Sequence, residues 1–334
     1  MFFKNAKEIH DLIEESSLDD LINGETLLHK ACFEGKKNIV KELLKRGANV
    51  NVVDSVGQTP LYDAVRKGRK DIVKLLIDHG SIINYPSQYT TPLHIACYKG
   101  WTRIVRILLK HNANINAKDF DGYSPLSVAC YSGHIKIAKI LIKKGCKTSL
   151  RARNKQTALH RSVCSGSLPL VRLLKSKCNI DSKDTQGYSP LHKACEMGFT
   201  EIVKFLILIG ADVNTTNDSH ETALQSACLW GYFDIVKLLV FNGVKVNTTD
   251  RTNFDTPLHD ACYQGNCDIV KLLIENGAIR TCKNKKKKMP IDYCHENKNL
   301  RKLLLYYLPL PLGFGDRLLS LKNYRTNTII QFYN

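Results

Sequence analysis

The sequence predicts an all-α solenoid, in which short helix-turn-helix units stack side by side and are joined by polar loops. Three observations predict it. A Thr or Ser recurs at Thr26, Thr59, Thr91, Ser124, Thr157, Ser189, Thr222 and Thr256, with successive spacings of 33, 32, 33, 33, 32, 33 and 34 residues. Nine residues after each anchor stands a Gly: Gly35, Gly68, Gly100, Gly133, Gly166, Gly198, Gly231 and Gly265. After that Gly comes an apolar run with helical spacing, such as Ile39, Val40, Leu43 and Leu44, or Ile269, Val270, Leu272 and Leu273. Self-similarity at a fixed period is the signature of a repeat architecture. At 334 residues a globular chain would be expected to hold about two domains. The repeat replaces that expectation with one elongated stack.

Each element has its own reason. Residues 1–22 read as an N-terminal half-repeat cap, with Ile9, Leu12 and Ile13 at helical spacing and a Glu/Asp/Lys-rich outer face. Residues 23–288 hold eight full units. In each, the anchor hydroxyl is a good N-cap for the first helix. Pro60, Pro92, Pro125, Pro190 and Pro257 follow it at the first helical position, where a missing N–H costs nothing. The Gly nine residues on can take positive φ and end that helix. The second helix buries its apolar face against the next unit, and Gly47, Gly80, Gly145, Gly210, Gly243 and Gly277 close it. The fifth unit is irregular: LVRLLKSKCN at 170–179 is one residue short and lacks the closing Gly, and the loop LRARNKQ at 150–156 lacks the usual Asp and Gly. The loop NYPSQYT at 84–90 is also shortened. Residues 289–305 read as a degenerate ninth unit that caps the C-terminal end, and 306–334 as a tail outside the repeat.

The unit heads TPLHIAC (91–97), SPLHKAC (189–195) and TPLHDAC (256–262) resemble the ankyrin repeat. The resemblance covers residues 7–305. It implies that each inter-unit loop folds as a hairpin finger, that the recurrent His locks its turn by hydrogen bonds, and that a protein partner binds the concave side, which is made by finger tips and exposed first-helix positions.

Composition narrows the function. Forty-nine basic and 31 acidic residues give a net charge of +18, so an acidic protein or another polyanion is a candidate partner. Six of the twelve cysteines (Cys32, Cys97, Cys130, Cys195, Cys228 and Cys262) share one position, six after the anchor, which Val65 and Val163 occupy in the other units. A position shared by Cys and Val is a small buried apolar site, and reduced core thiols imply the cytoplasm or nucleus. The N-terminus carries no signal-type apolar segment, and the longest apolar run, LLLYYLPLPLGF at 303–314, is too short and proline-broken to span a membrane. A monomer without membrane insertion is expected.

Chemistry-bearing motifs are few. His29, His94, His192 and His259 precede a Cys at His-x-x-Cys spacing, a metal half-site if read singly. As repeat positions they are structural, since Tyr62, Ser127 and Gln225 substitute for the His. His160 with Cys164 is the only thiol–imidazole pairing of note. No nucleophile elbow, P-loop, zinc-protease or dinucleotide fingerprint occurs, so no enzyme, cofactor or metal is expected.

The informative positions are those the fold leaves free. Aromatics there are interface-like. Two clusters are predicted as partner-binding anchors: Tyr98, Trp101, Tyr123 and Tyr131 in the third and fourth units, and Leu229, Trp230, Tyr232 and Tyr263 in the seventh and eighth. A basic finger, Arg280, Lys283, Lys285, Lys286, Lys287 and Lys288, is either a polyanion contact or a nuclear-localisation signal. In the tail, SLKNYRTNTII at 320–330 resembles the start of a SOCS box, the segment that recruits elongin and a cullin ubiquitin ligase. It departs from that pattern: no Cys stands where the elongin contact expects one, and LPLP at 308–311 precedes the segment rather than following it. The primary expectation is a non-catalytic interaction scaffold. The alternatives are a ligase adaptor and a polyanion binder.

Overall fold

The computed structural model describes residues 18–85, 90–294 and 297–306. Most of the N-terminal half-unit, most of the loop at 84–90 and nearly all of the tail lie outside the described residues. The rest is a stack of helix pairs. The pairs are α1 (Leu27–Glu34) and α2 (Lys37–Lys45), α3 (Pro60–Arg66) and α4 (Lys70–Asp78), α5 (Pro92–Lys99) and α6 (Thr102–Lys110), and α7 (Pro125–Tyr131) and α8 (Ile135–Lys143). They continue with α9 (Ala158–Cys164) and α10 (Leu168–Leu174), α11 (Pro190–Glu196) and α12 (Thr200–Leu208), α13 (Ala223–Leu229) and α14 (Phe233–Phe241), and α15 (Pro257–Gln264) and α16 (Cys267–Glu275). The first helix of the ninth unit shrinks to one 3₁₀ turn, Pro290–Tyr293, followed by α17 (Lys298–Tyr306). Odd helices pack on odd and even on even, as a solenoid requires.

The local physics follows the sequence. Thr26, Thr59, Ser124, Thr157, Ser189 and Thr222 accept a hydrogen bond from the N–H three residues on. All eight glycines that end the first helices have positive φ. At Gly68 and Gly198 a second constraint appears. A Cβ on Gly68 would meet the Trp101 ring at 2.8 Å, and one on Gly198 would meet the Tyr232 ring at 2.7 Å. Only Gly lets the next unit come that close.

The core is one continuous strip. Leu28, Leu61, Leu126, Leu159, Leu224 and Leu258, the shared Cys/Val column, and second-helix residues such as Val40, Val73, Val105, Val203 and Val270 are buried. Each buried Leu or Val side chain contributes about 1.5–3 kcal/mol of transfer free energy. All twelve cysteines are unpaired thiols, and burial pushes the Cys97 and Cys195 thiols far above the ordinary value.

The loops fold as tight five-residue turns without strands among the described residues. The N–H of Asp54, Asp119 and Asp184 donates to the carbonyl four residues on, and the same Asp side chain accepts from backbone N–H groups of its own turn. One backbone bond then ties a finger to the one before wherever both are described, as from Ser55 to Gly24 and from Arg153 to Asp121. In the fifth unit Ala152 replaces the Asp, and Lys155 takes positive φ (58°), as His220, Phe254 and Lys287 also do, where Gly57, Gly122 and Gly187 stand in other fingers. The turn survives there with strain and fewer side-chain bonds. Its second helix, α10, has 7 residues where its counterparts have 9.

Candidate functional site

The recurrent His is a clamp between units. Thr26 Oγ1 lies 2.9 Å from His29 Nδ1, and His29 Nε2 lies 3.0 Å from the Gln58 carbonyl of the next unit. A carbonyl can only accept, so Nε2 carries the proton and Nδ1 accepts from the Thr hydroxyl. The same clamp joins His94 to Tyr123, His160 to Tyr188, His192 to Glu221 and His259 to Lys288. Gln225 reproduces it through Nε2 to the Asp255 carbonyl at 3.0 Å. Burial lowers the pKa of His29, His94, His160 and His192, the last to about 4.

This geometry removes the metal and nucleophile readings. His29, Asp54 and Asp63 bring ligand atoms within 4.8 Å of one another. However, both His29 nitrogens are used, and Asp63 pairs with Arg66 at 3.4 Å. Burial raises the Asp63 carboxyl to about 7. Cys164 is likewise raised by burial, the opposite of an activated thiol, and the His160 ring is already committed to Thr157 and Tyr188.

The first aromatic cluster is largely occupied by the protein itself. Arg161 of α9 lies over two rings of the preceding unit, 3.6 Å from the Tyr131 centroid and 4.4 Å from that of Tyr123. Asn154 donates to the Tyr123 hydroxyl at 2.7 Å, and that hydroxyl donates to Gln156 at 3.2 Å. This is the junction where Ser127 has replaced the clamp His, and Ser127 reaches only Ser124. The Tyr–Arg contact takes over the joining of units. Trp101 stacks over Gly68, and Tyr98 carries Lys99 over its ring at 5.3 Å.

The second cluster is more open. Tyr232 stacks on Gly198 of the unit before. Trp230 is 53% exposed, Tyr263 58% and Leu229 39%. Tyr263 leans edge-on against Tyr293 at 6.3 Å. Beside these groups, burial and the charges of Asp255, Asp250 and Glu221 raise the Asp260 carboxyl well above its ordinary value.

In the basic finger, Lys283, Lys285, Lys286 and Lys287 are exposed. Asn284 organises the turn, accepting from Lys286 and Lys288 N–H and donating to Asp255 and the Tyr293 hydroxyl at 2.7 Å. Lys288 receives the His259 clamp, and Arg280 is half-buried.

The larger charge feature lies elsewhere and is missed by a search for motifs. Residues 79–180 contain 17 Lys and Arg but only Asp119 and Asp121, whereas residues 181–279 contain 13 acids and 7 bases. Part of the difference sits on the second helices, where α6, α8 and α10 hold 7 of those cations and no acid while α12, α14 and α16 hold 4 of the acids. Fifteen residues after the anchor every unit has a cation, from Lys41 to Lys271. Twelve after it stand Asp71, Glu201, Asp234 and Asp268, in the first turn, where an acid complements the helix dipole. In the third and fourth units that place is taken by Arg103 and Lys136. The detectable signal was the absence of acids from repeat positions that usually carry them.

Comparison with known proteins agrees with this geometry. Family models described as "Ankyrin repeats (3 copies)" match residues 3–87, 83–152 and 159–250, and "Ankyrin repeats (many copies)" matches 242–294. The chain belongs to the ankyrin-repeat family. Protein phosphatase 1 regulatory subunit 27 of Homo sapiens is 47% identical over 62 residues, 18% of this chain and 40% of its own length. The protein of the same name from Mus musculus is 45% identical over 62 residues, with the same coverage. The match thus spans under half the length of those relatives. A solved structure, the human ASB11 ankyrin repeat domain, superposes with a TM-score of 0.61 at 27% identity, covering 66% of this chain and all of that one. An ankyrin-repeat stack of this kind is a protein-binding solenoid.

Proposed function

We propose that the chain is a non-catalytic protein-interaction scaffold whose partner docks in the concave groove of the seventh and eighth units, with Leu229, Trp230 and Tyr263 as anchors. The observation that carries this is the order of exposure. Tyr123, Tyr131, Trp101 and Tyr232 contact a neighbouring unit, as Tyr263 does through Tyr293, but Trp230 (53%) and Tyr263 (58%) are the most exposed rings of the two clusters, ahead of Tyr131 at 45% and Trp101 at 40%. Large aromatics at sites that folding does not require supply contact area at low entropic cost. A rigid stack of clamped units binds with little ordering of its own. The cytoplasm or nucleus, where the unpaired thiols stay reduced, is the expected setting.

The test is affinity capture from lysate with the full chain and with a Trp230→Ala/Tyr263→Ala variant, at low and high salt. Partners retained at high salt by the full chain and lost by the variant, with unchanged thermal unfolding, support the reading. Equal losses of binding and melting temperature would assign both residues to packing and overturn it. The name of the relative matched over 62 residues makes a phosphatase one partner to look for. A second reading, a ubiquitin-ligase adaptor, rests on SLKNYRTNTII at 320–330 and on the likeness to the ASB11 ankyrin repeat domain. Deleting residues 306–334 separates it. Elongin or cullin lost only on deletion supports the adaptor, and their absence from the full-length capture ends it.

A further inference from the structure

The outer surface of the third to fifth units carries a cationic face built in register. Arg103, Arg106 and Lys110 lie on α6, and Lys136, Lys139 and Lys143 occupy the same repeat positions on α8. Arg172 of α10 continues the middle row. All seven are exposed, and α6, α8 and α10 pack side by side. No acid occurs between Asp121 and Asp181 or between Asp78 and Asp119. No salt bridge among the described residues involves any of the seven.

A solvated helix face is the ordinary explanation of surface lysine, but it does not explain this pattern. The second, sixth, seventh and eighth units place an acid twelve residues after the anchor, and the cation three residues later then has an opposite charge on its own face. Arg103 and Lys136 instead put positive charge at the positive end of the helix dipole and beside other cations. The fold gains nothing from that exchange, so its use lies outside the fold.

We infer that this convex face binds the phosphodiester backbone of double-stranded nucleic acid through charge alone. Three observations select that occupant. None of the exposed large apolar side chains lies on α6, α8 or α10, so nothing there would enter a bilayer. The three helices contain no aromatic residue of their own, and Trp101 at the N-cap of α6 and Phe205 of α12, under Arg172, border the face singly, so successive bases of a single strand have no row of stacking platforms. Adjacent helices lie about 8–10 Å apart, so three of them span roughly 20 Å. A duplex of that length carries about a dozen phosphates, about half of them facing one side. The face is distinct from the concave groove, and the inference does not rest on the function proposed for that groove.

The test is fluorescence anisotropy of the full chain with a labelled mixed-sequence DNA duplex of about 24 base pairs, over about 50–300 mM NaCl. Saturable binding at the lowest salt is expected, with affinity falling by a factor of about 10³ by about 200 mM. Arg103→Glu/Lys136→Glu restores the pattern of the other units. It should weaken binding at least about tenfold at about 100 mM and reduce the log–log salt slope by about 2. Lys204→Glu/Lys237→Glu makes the same change of net charge on α12 and α14 and should stay within about threefold of the parent. Circular dichroism melts confirm folding, and Arg103→Gln/Lys136→Gln repeats the test with a smaller charge change. Three results would overturn the inference: no saturable binding at about 50 mM, equal losses from both Glu pairs, or binding to phosphatidylserine vesicles without binding to duplex.

Discussion

The third to fifth units and the sixth to eighth units are built from the same repeat, yet they have spent their free positions differently. The central units turn Tyr123 and Tyr131 onto their own Arg161 and place cations without a neighbouring acid on the outer helices. The later units place an acid three residues before the outer-helix cation and leave Trp230 and Tyr263 more than half exposed. Positions that hold units together are filled by whatever chemistry can join them. Positions that do not are where the two regions diverge.

The largest effect should come from removing a clamp. His192→Ala should destabilise the chain by about 3 kcal/mol, because it opens a cavity and leaves the Glu221 carbonyl without its donor. Ser127→Ala, at the same position of the fourth unit, should cost under about 1 kcal/mol, since its hydroxyl reaches only Ser124. Urea unfolding of both variants measures the difference, and equal losses would break the comparison.

Acid should expose the same clamp. Burial holds folded His192 at about 4, below its ordinary 6.5. The stability it contributes is whole above pH 6.5 and is lost as pH falls through about 4, because the unfolded chain takes the proton first. His192→Gln, the arrangement nature uses at Gln225, should flatten that part of the stability–pH curve by about 2–3 kcal/mol relative to the parent. Parallel curves for parent and variant would show that His192 does not titrate with folding.

The aromatic clusters should then separate. Arg161→Ala should lower stability by about 1–2 kcal/mol, since it removes two ring contacts between units. Trp230→Ala should change it by less than about 0.5 kcal/mol while weakening partner binding by about 2 kcal/mol. Thermal melts sharpen the contrast, and a large loss from Trp230→Ala would make the second cluster as structural as the first.

The smallest effect is a swap at the outer helices. Arg103→Glu should stabilise by about 0.5 kcal/mol, and Glu201→Arg should destabilise by a similar amount, through the helix dipole and the neighbouring cation. If neither moves the unfolding midpoint, the cost assigned to the central cations is absent.

The amino-acid sequence by itself determined the solenoid. The period, the Thr/Ser caps, the Gly stops and the apolar second helices are local features, and each acts within a few residues. The buried Cys column was legible for the same reason, since a position shared by Cys and Val has one environment. The site was only partly legible. Sequence distance cannot tell an exposed aromatic from one lying on the next unit, because the partner of Tyr131 is Arg161, thirty residues on. Likewise Trp101 and Tyr232 qualified as free surface until the close approach to Gly68 and Gly198 was seen. Only the stacking of units decided which rings lie on a neighbouring unit and which stay most exposed. It also decided that scattered cations of three helices form one face, because side-by-side packing brings residues a full repeat apart to neighbouring positions.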